Sequence, residues 1–364
     1  MKAVVAIDSF KGSLSTFEAG EAAAKALALS GFAPQDIRVL PMSDGGEGFC
    51  KVVGSYIDAG TVALNVRGPL GGEVRAEYLL AGTDAYIESA SACGYTIVPK
   101  ERLNPLEATS FGLGELIRDA AGRGARRIVV GMGGTCTVDA GIGMLQALGA
   151  SFTLADGTTL PEGEPALMKE ILSMDTSAID LGGAAVEAWS DTEVPLTGAV
   201  RVFGRQKGLS EEMLGPADAW MSRIAALFGD NAVAGGGAAG GIGAALAAVL
   251  GAWICSGADG VIALSGLADN GGADLLITGE GRLDSQTLTG KLPARVAAAG
   301  RRSGCRRILC LAGSVALAGP GCFDDTLQIT PDGMPLDAAM KNAAALLTAA
   351  LGGRLSNHTD YAKD

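Results

Sequence analysis

Residues 1–29, MKAVVAIDSFKGSLSTFEAGEAAAKALAL, contain the pattern that decides the fold. The apolar run KAVVAID, at residues 2–8, is typical of a buried parallel strand. A polar loop follows, and then STFE, at residues 15–18, matches a capping box that begins a helix. The stretch therefore predicts a strand, a loop and a helix in succession.

The same order of elements recurs along the chain. DIRVLPM, at residues 36–42, predicts a second strand and is followed by SDGGEG. RRIVVGMGG, at residues 126–134, is again a strand that runs into glycines. Three late segments predict further strands: GADLLITG, RRILCLAG and DDTLQIT. This alternation predicts an α/β fold with functional loops at the carboxyl ends of the strands.

Other segments follow different patterns. Residues 60–90 alternate apolar and polar side chains between turn signals, which predicts antiparallel strands. The predicted helices span Asn104-Pro105 to about Arg123, 210–228, 236–254 and 336–351. The last dozen residues are expected to be loose.

Length and composition indicate a folded protein of two domains. The chain has 364 residues, of which 48% are hydrophobic and 19% are charged, and a domain typically takes about 150 residues. No linker stands out, so the division is expected to be discontinuous. The net charge of −12 argues against nucleic acid and anionic membranes as partners. Anionic substrates would need local lysines, arginines or helix N-termini.

The scarcity of histidine limits the chemistry. His358 is the single histidine, which argues against Ser-His-Asp catalysis and histidine-rich zinc sites. A general base is therefore expected to be a carboxylate, with lysine or tyrosine as alternatives. The seven cysteines are odd in number and form no CxxC motif. They predict reduced, mostly buried thiols in a cytoplasmic protein.

No targeting or membrane segment is expected. The N-terminus has a strand pattern without the long apolar region of a signal peptide. Between Asp230 and Asp259 no charged residue occurs, and this length would suffice to span a bilayer. The segment is rich in Gly and Ala and only weakly hydrophobic, so a buried helix entered through a glycine loop is the preferred interpretation.

Four loops at predicted strand ends share one composition, in which glycine accompanies a carboxylate. They are residues 8–13, DSFKGS; 43–48, SDGGEG; 131–139, GMGGTCTVD; and 279–291, GEGRLDSQTLTGK. Glycines let the backbone approach a ligand, and exposed N–H groups at a following helix attract anions. Carboxylates bind Mg²⁺, which bridges phosphate oxygens. The combination with lysine suggests a magnesium–nucleotide site, whereas helix caps and turns are the structural alternative.

Standard nucleotide signatures are missing. Lys291 is followed by Leu292, so the last loop is not a Walker A motif, and no GxGxxG follows a strand with the usual acid beyond it. The glycine loop at 235–243 can cradle phosphate or adenine, or permit close helix packing, and the sequence leaves both open.

Long ordered motifs resemble those of the bacterial type I glycerate kinases. They run through nearly the whole chain: AIDSFKGSLS, PMSDGGEGF, RGPLG, ESASACGYTIVP, RLNPLEATSFGLGELI, GMGGTCTVDAGIGMLQALG, VFGRQKG, AGGGAAGGIGAAL and ITGEGRLDSQTLTGK. The resemblance implies two α/β domains. A flavodoxin-like domain built from both chain ends would comprise residues 1–60 and 290–364. An inserted domain resembling restriction endonucleases would comprise 61–289.

The implied reaction is ATP-dependent phosphorylation of D-glycerate, more often at the 2-hydroxyl, with Mg-ATP bound in an interdomain cleft. Mg²⁺ and ATP are the implied cofactor and co-substrate, and a monomer or homodimer is expected. Three alternatives stay open: a kinase for a related hydroxy acid, a catalytically silent paralogue that binds a nucleotide or small hydroxy acid, and an unrelated α/β enzyme such as a dinucleotide oxidoreductase.

Residue roles follow from chemistry. The candidate catalytic residues are Asp191, Asp284, Asp8 and Lys11, and the first two are also the candidate Mg²⁺ ligands. The candidate cofactor-binding residues are Gly133, Gly134, Thr135, Lys207 and Lys291. Asp44 and Arg282 are the candidates for substrate binding.

The chain departs from the family pattern at three motifs. Val138 and Val194 stand where the family often has asparagine, and Arg205 stands where it usually has proline. Loss of two amides removes hydrogen-bonding capacity. If those amides face the substrate, the acceptor differs from glycerate; otherwise the valines are packing changes.

Overall fold

The computed structural model describes residues 1–229, 233–269, 272–317 and 319–357. The chain divides into two compact units: a terminal unit, Met1–Asp44 with Ala258–Asp364, and a central unit, Gly45–Gly257. Both chain ends lie in one unit and the middle lies in the other. The boundaries expected near residues 60 and 290 differ from this division.

The described residues form strands at the following positions. They are β1 Ala3–Ile7, β2 Ile37–Val39, β3 Gly60–Arg67, β4 Glu73–Ala81, β5 Asp84–Glu88, β6 Arg127–Gly131, β7 Ser151–Leu154, β8 Ile171–Asp175, β9 Ala185–Trp189, β10 Trp253–Cys255, β11 Leu275–Leu283, β12 Arg307–Val315 and β13 Asp325–Gln328.

The α-helices of the described residues are α1 Thr16–Leu29, α2 Phe49–Gly54, α3 Ala90–Cys93, α4 Phe111–Gly122, α5 Ile142–Leu148, α6 Ala199–Phe203, α7 Glu211–Leu227, α8 Ile242–Leu250, α9 Gly257–Ser265, α10 Ser285–Leu288, α11 Leu292–Arg302, α12 Leu336–Lys341 and α13 Ala343–Asn357. The mixture of strands and helices confirms the predicted α/β class.

The terminal unit is built on a five-stranded parallel sheet. Its strands lie in the order β13-β12-β11-β1-β2. Counted along this unit the order is 2-1-3-4-5, which is that of flavodoxin-like folds. Helices α1 and α13 pack together on one face with Val5, Ile277 and Leu309. On the other face Gly300 of α11 lies against Leu276, where a Cβ atom would meet Leu276 Cδ2 at 2.2 Å.

The opening βα unit forms as the sequence predicts. The Ser15 N–H donates to the Glu18 carboxylate at 2.8 Å, and the Glu18 N–H donates to the Ser15 hydroxyl at 3.3 Å. This reciprocal pair is the predicted capping box, and α1 begins directly after it. Because the signal is local, the sequence was sufficient to locate it.

The central unit holds a six-stranded sheet in the order β10-β9-β6-β5-β4-β3. The ladder from β3 to β5 is antiparallel, which confirms the prediction for residues 60–90. The pairs from β5 through β6 and β9 to β10 are parallel. Helices α4, α5 and α8 contribute Leu116, Leu145 and Leu246 to its core. Strands β7 and β8 form a separate antiparallel pair.

Two predicted helices have wrong limits. The helix expected from Asn104 begins only at Phe111, because Asn104 accepts the N–H of Leu106 in a local turn and Ser110 is bonded to Asp139. The helix expected over 236–254 is limited to α8. Left-handed glycines flank α8, and residues 253–255 form β10 instead of a helical end.

The carboxyl-terminal elements also differ from the prediction. Strand β11 continues past Gly279 to Leu283, because Glu280 and Arg282 pair with β12. Glu280 and Arg282 are therefore strand residues. The final helix is two helices, α12 and α13, and α13 extends to Asn357. The expected loose tail overlaps α13 up to that residue, and residues 358–364 lie outside the described residues.

Within the described residues, no helix combines the length and apolarity that crossing a membrane would require. The uncharged Gly/Ala-rich segment instead supplies α8, whose first five residues are buried in the core of the central unit. Of the seven cysteines, Cys93, Cys136, Cys305 and Cys310 are buried.

Candidate active site

The terminal unit has a topological switch point between β1 and β11. From β1 the chain moves to β2 on one side, and its next strand in this sheet, β11, lies on the other side of β1. In open α/β sheets, ligands bind at the carboxyl ends of the strands where the order reverses. Asp8 follows β1 and Asp284 follows β11, so two predicted catalytic residues lie at this edge.

Asp8 is a buried carboxylate, with 8% of its surface exposed. One oxygen accepts the N–H of Ser9 at 2.7 Å. Burial raises the pKa of Asp8 well above its usual range, the charges of Asp44 and Glu280 raise it further, and Lys11 opposes them. An acid whose pKa approaches the working pH has the property required of a general base.

Lys11 and Asp44 lie beside Asp8. The Lys11 Nζ atom is 3.5 Å from Asp44 Oδ2, and 76% of the Lys11 side chain is exposed. An exposed pair at that distance contributes little to stability. The pair thus places one positive and one negative charge at the edge where Asp8 lies.

Asp284 has a structural role at the end of β11. Its carboxylate accepts the Gln286 N–H at 3.0 Å and caps α10, while the Thr287 hydroxyl accepts the Asp284 N–H at 3.2 Å. Arg282 lies 3.5 Å from Asp284 Oδ2 with 71% of its side chain exposed. Lys291 is the N-cap residue of α11. The capping interpretation weighed for this loop is therefore observed at Asp284.

Glu280 is a residue of this edge that the sequence interpretation did not select. Burial raises its pKa, the Thr287 hydroxyl bond and the Lys291 charge lower it, and Asp284 raises it. The sequence signal was its position directly after TG in LLITGEG. It was overlooked because the strand was expected to end at Gly279.

The second set of predicted residues lies in the central unit. Strands β6, β9 and β10 are parallel neighbours, so their carboxyl ends share one edge. The loop of Gly133, Gly134 and Thr135 follows β6, and Asp191 follows β9. The Asp191 carboxylate accepts the Ser256 hydroxyl at 2.7 Å, from the residue after β10.

Packing explains the two glycines after β6. A Cβ atom at Gly133 would lie 2.3 Å from the Gly46 Cα, and Gly134 has a left-handed φ of 70°. A side chain at either position would force the loop apart or strain its backbone. The glycines thus hold the loop after β6 close against the SDGGEG loop.

Lys207 is buried beside the same loop, with 8% of its surface exposed. Its Nζ atom donates to the Thr135 hydroxyl at 3.0 Å and to the Thr137 carbonyl at 2.8 Å. Burial lowers the pKa of Lys207 to about 8. Two of its three donors are occupied by protein atoms, so Lys207 fixes the loop as well as carrying charge.

Asp139 anchors the following turn. It is fully buried and accepts hydrogen bonds from the N–H and hydroxyl of Ser110 at 2.8 and 2.7 Å. The N–H groups of Gly141 and Gly143 also donate to it at 3.1 and 3.3 Å. Burial raises its pKa and these donors lower it. Asp139 is thus a structural acid, although its motif resembles a site loop.

The departures from the family pattern fall into structural positions. Val138 is 1% exposed and belongs to the hydrophobic core of the central unit. The Val194 carbonyl accepts the Gly237 N–H at 2.8 Å. Arg205 pairs with Glu211 on the surface. The burial of Val138 in the core favours the interpretation that valine is a packing change at this position.

Ala140 has a strained backbone conformation in the turn after Asp139. Its φ is 52°, in the left-handed region that costs a residue with a Cβ atom about 1–2 kcal/mol. We expect Ala140→Gly to raise the free energy of unfolding by about 1 kcal/mol, measured by urea denaturation. Ala147→Gly in α5 is the control, because glycine inside a helix should lower stability. Unchanged or lower stability of Ala140→Gly would contradict the assignment of strain.

The predicted metal ligands lie in different units, Asp284 in the terminal unit and Asp191 in the central unit. Among the described residues, no group of three or more His, Cys, Asp or Glu side chains is arranged to hold a metal ion. Mg²⁺ commonly uses one or two protein carboxylates, with water and phosphate completing its shell. A Mg²⁺ site within one unit therefore needs no more than two neighbouring carboxylates from the protein.

Known proteins match this chain over most of its length. A model described as "Glycerate kinase family" matches residues 3–353. A glycerate kinase of Bacillus subtilis is 38% identical, over 94% of this chain and 94% of its own length. A glycerate 2-kinase of Escherichia coli is 40% identical, over 82% of this chain and 81% of its own.

Solved structures give the same result. A crystal structure assigned to glycerate kinase 2 of Salmonella typhimurium LT2 is 37% identical, with a TM-score of 0.76 and coverage of 98% of both chains. At 37% identity, the two proteins are similar in sequence as well as in fold.

Proposed function

Because this chain belongs to the glycerate kinase family, we propose that it transfers the γ-phosphoryl group of ATP to the 2-hydroxyl of D-glycerate, with Mg²⁺. The choice of hydroxyl is supported by the similarity to the Escherichia coli protein named glycerate 2-kinase. The observation that carries the proposal is the group of carboxylates and lysines at the switch point of the terminal unit, in a chain that the family model matches almost throughout.

The donor set of the terminal unit fits Mg²⁺. Asp284 is a carboxylate oxygen donor beside Glu280, and burial together with repulsion between carboxylates raises the pKa of Asp8 and of Glu280. A divalent cation would relieve that repulsion. Asp284 is the proposed ligand in this unit, and Asp191 remains the proposed ligand in the central unit. A Mg²⁺ ion held there with ATP would supply positive charge against the negative charge of the phosphates.

We assign proton transfer, charge compensation and substrate binding to residues of the chain. We assign the general base to Asp8, which would accept the proton of the attacking hydroxyl. Lys11 and Lys291 provide positive charge near the phosphoryl group being transferred, and Asp44 and Arg282 contact the organic acid. In the central unit, the loop of Gly133, Gly134 and Thr135, held by Lys207, would contact phosphate through backbone N–H groups and the hydroxyl. Positioning and charge compensation are what phosphoryl transfer requires.

A coupled ADP-release assay tests the reaction. Mg-ATP is supplied with D-glycerate, L-glycerate, tartronate or hydroxypyruvate in turn, and ADP should form with D-glycerate. The ³¹P NMR signal of the product should be a doublet, because a 2-phosphate ester couples to one methine proton. A triplet would assign the 3-hydroxyl. Absence of ADP with every acid would refute the kinase activity, and ligand-induced thermal stabilisation without turnover would indicate a silent paralogue.

Asp284 gives a more specific test. We expect Asp284→Asn to lower turnover at least about tenfold, since it removes one charge from the proposed cation site. Asparagine is an equally good N-cap, so α10 and the thermal unfolding midpoint should be preserved. A turnover close to that of the unsubstituted protein would remove Asp284 from the site.

A further inference from the structure

Glu280 interacts electrostatically with the charged residues at the carboxyl edge of the terminal unit's sheet. It lies in β11, which pairs directly with β1, the strand that ends before Asp8. Its charge raises the pKa of Asp8, and the charges of Asp284, Lys291 and Lys11 act on Glu280 in turn. Glu280 is therefore within electrostatic range of residues assigned to the reaction.

Thr287 fixes one oxygen of Glu280. The Thr287 side chain is fully buried, and its hydroxyl donates to Glu280 Oε1 in a short hydrogen bond. The same hydroxyl accepts the Asp284 N–H at 3.2 Å. Its single proton is thus directed to Glu280, which must be the acceptor. The helix cap at Asp284 and the orientation of Glu280 are set by one side chain.

The other oxygen of Glu280 is available. Glu280 Oε2 makes no hydrogen bond to a described residue, and the side chain is only partly buried, so a ligand can approach it. Thr278 lies two positions earlier on the same face of β11. Its hydroxyl is buried and has no hydrogen-bond partner within the described part of the chain. Unsatisfied buried polar groups are rare and call for an explanation.

Charge selects the kind of ligand. A half-buried carboxylate, fixed through one oxygen beside Asp284 and Asp8, repels anions and attracts a cation. Magnesium typically takes one or two carboxylates from the protein, and Glu280 with Asp284, four residues further along the chain, supplies two. The charges of Lys291 and Lys11 also act on Glu280 and lower its pKa.

We propose that Glu280 is a direct ligand of the divalent cation that accompanies ATP, and that Thr287 is the residue that positions it. This assignment rests on the proposed kinase function. It adds a protein ligand that the sequence did not indicate, and it gives a buried threonine a function in orienting a carboxylate.

The test measures metal binding separately from turnover. Calorimetric titration of the full-length protein with β,γ-imido-ATP, with and without Mn²⁺, gives the factor by which the cation tightens nucleotide binding. By linkage this equals the factor by which the nucleotide tightens cation binding. Glu280→Gln should lower the factor by more than about tenfold, and Thr287→Val should lower it by about tenfold. Thr287→Ser, which keeps the hydroxyl, should restore it.

The control is Glu21→Gln, an exposed position of α1, which should leave the factor unchanged. If Glu280→Gln folds and shows the same Mn²⁺ effect as the unsubstituted protein, Glu280 is not a ligand. If Thr287→Val does not fold, the comparison between Glu280→Gln and Thr287→Ser still tests whether Glu280 is a ligand of the cation. Failure of the unsubstituted protein to form ADP would refute the kinase proposal instead, so the two failures are distinguishable.

Discussion

Replacing Asp8 by asparagine should lower turnover by about 10²–10⁴-fold, the usual contribution of a general base. Asparagine preserves the shape of the side chain and the oxygen that accepts the Ser9 N–H at 2.7 Å. What is lost is the ability to take a proton. The measurement is kcat for ADP release with D-glycerate, and Asp337→Asn, at an exposed position of α12, is the matched control.

The same substitution should make the protein more stable. The pKa of Asp8 is raised in the folded state, so between its unfolded value and the raised value the folded state binds more protons than the unfolded state. Stability therefore falls as pH rises through that window, and the ionised side chain is a cost above it. At pH 8 we expect Asp8→Asn to have a higher unfolding midpoint than the unsubstituted protein.

The pH profile separates the base from a merely structural residue. In the unsubstituted protein kcat/KM should fall on the acid side, as the pH drops through the raised pKa of Asp8. That limb should disappear in Asp8→Asn. A variant with near-normal turnover, or with the acid limb unchanged, would show that another group accepts the proton.

Local signals in the sequence were sufficient for much of the fold. The capping box before α1 needs only residues 15–18, and β1 is recognisable as one apolar run. The start of α4 was missed because Ser110 bonds to Asp139, far along the chain. The length of β11 was missed because the strand continues past Gly279 through its pairing with β12. The composition of residues 280–283 does not by itself indicate a strand.

The candidate site was predictable by residue type, whereas the contacts between its residues were not. Glycine, carboxylate and lysine at strand ends pointed to Asp8, Asp44 and Asp284, and Lys207 was selected from the VFGRQKG motif, which follows a short helix. Periodicity contains no information on which strands are neighbours, so the switch point between β1 and β11 could not be derived from it. Glu280 depends on that pairing, and the buried environment of Lys207 depends on long-range packing.

Lys207→Met should lower turnover by about 10²–10³-fold, comparable to loss of a preorganised donor at a developing charge. The ammonium group is buried and holds the Thr135 hydroxyl and the Thr137 carbonyl. Methionine matches its length but can neither donate nor carry charge. Lys100→Met, at an exposed position of the same unit, is the control for loss of a lysine. A normal kcat in Lys207→Met would exclude Lys207 from the proposed phosphate site.

The pH dependence of Lys207 should mirror that of Asp8. Its pKa in the folded state is about 8, below the usual 10.5, so the unfolded state binds more protons between these values and stability rises with pH there. Activity should do the opposite, because kcat/KM falls as Lys207 loses its charge above about pH 8. The alkaline limb should be absent in Lys207→Met. Both groups thus carry their charge where burial disfavours it, a property that is common among functional residues. An alkaline limb that persists in the variant would show that Lys207 serves the fold alone.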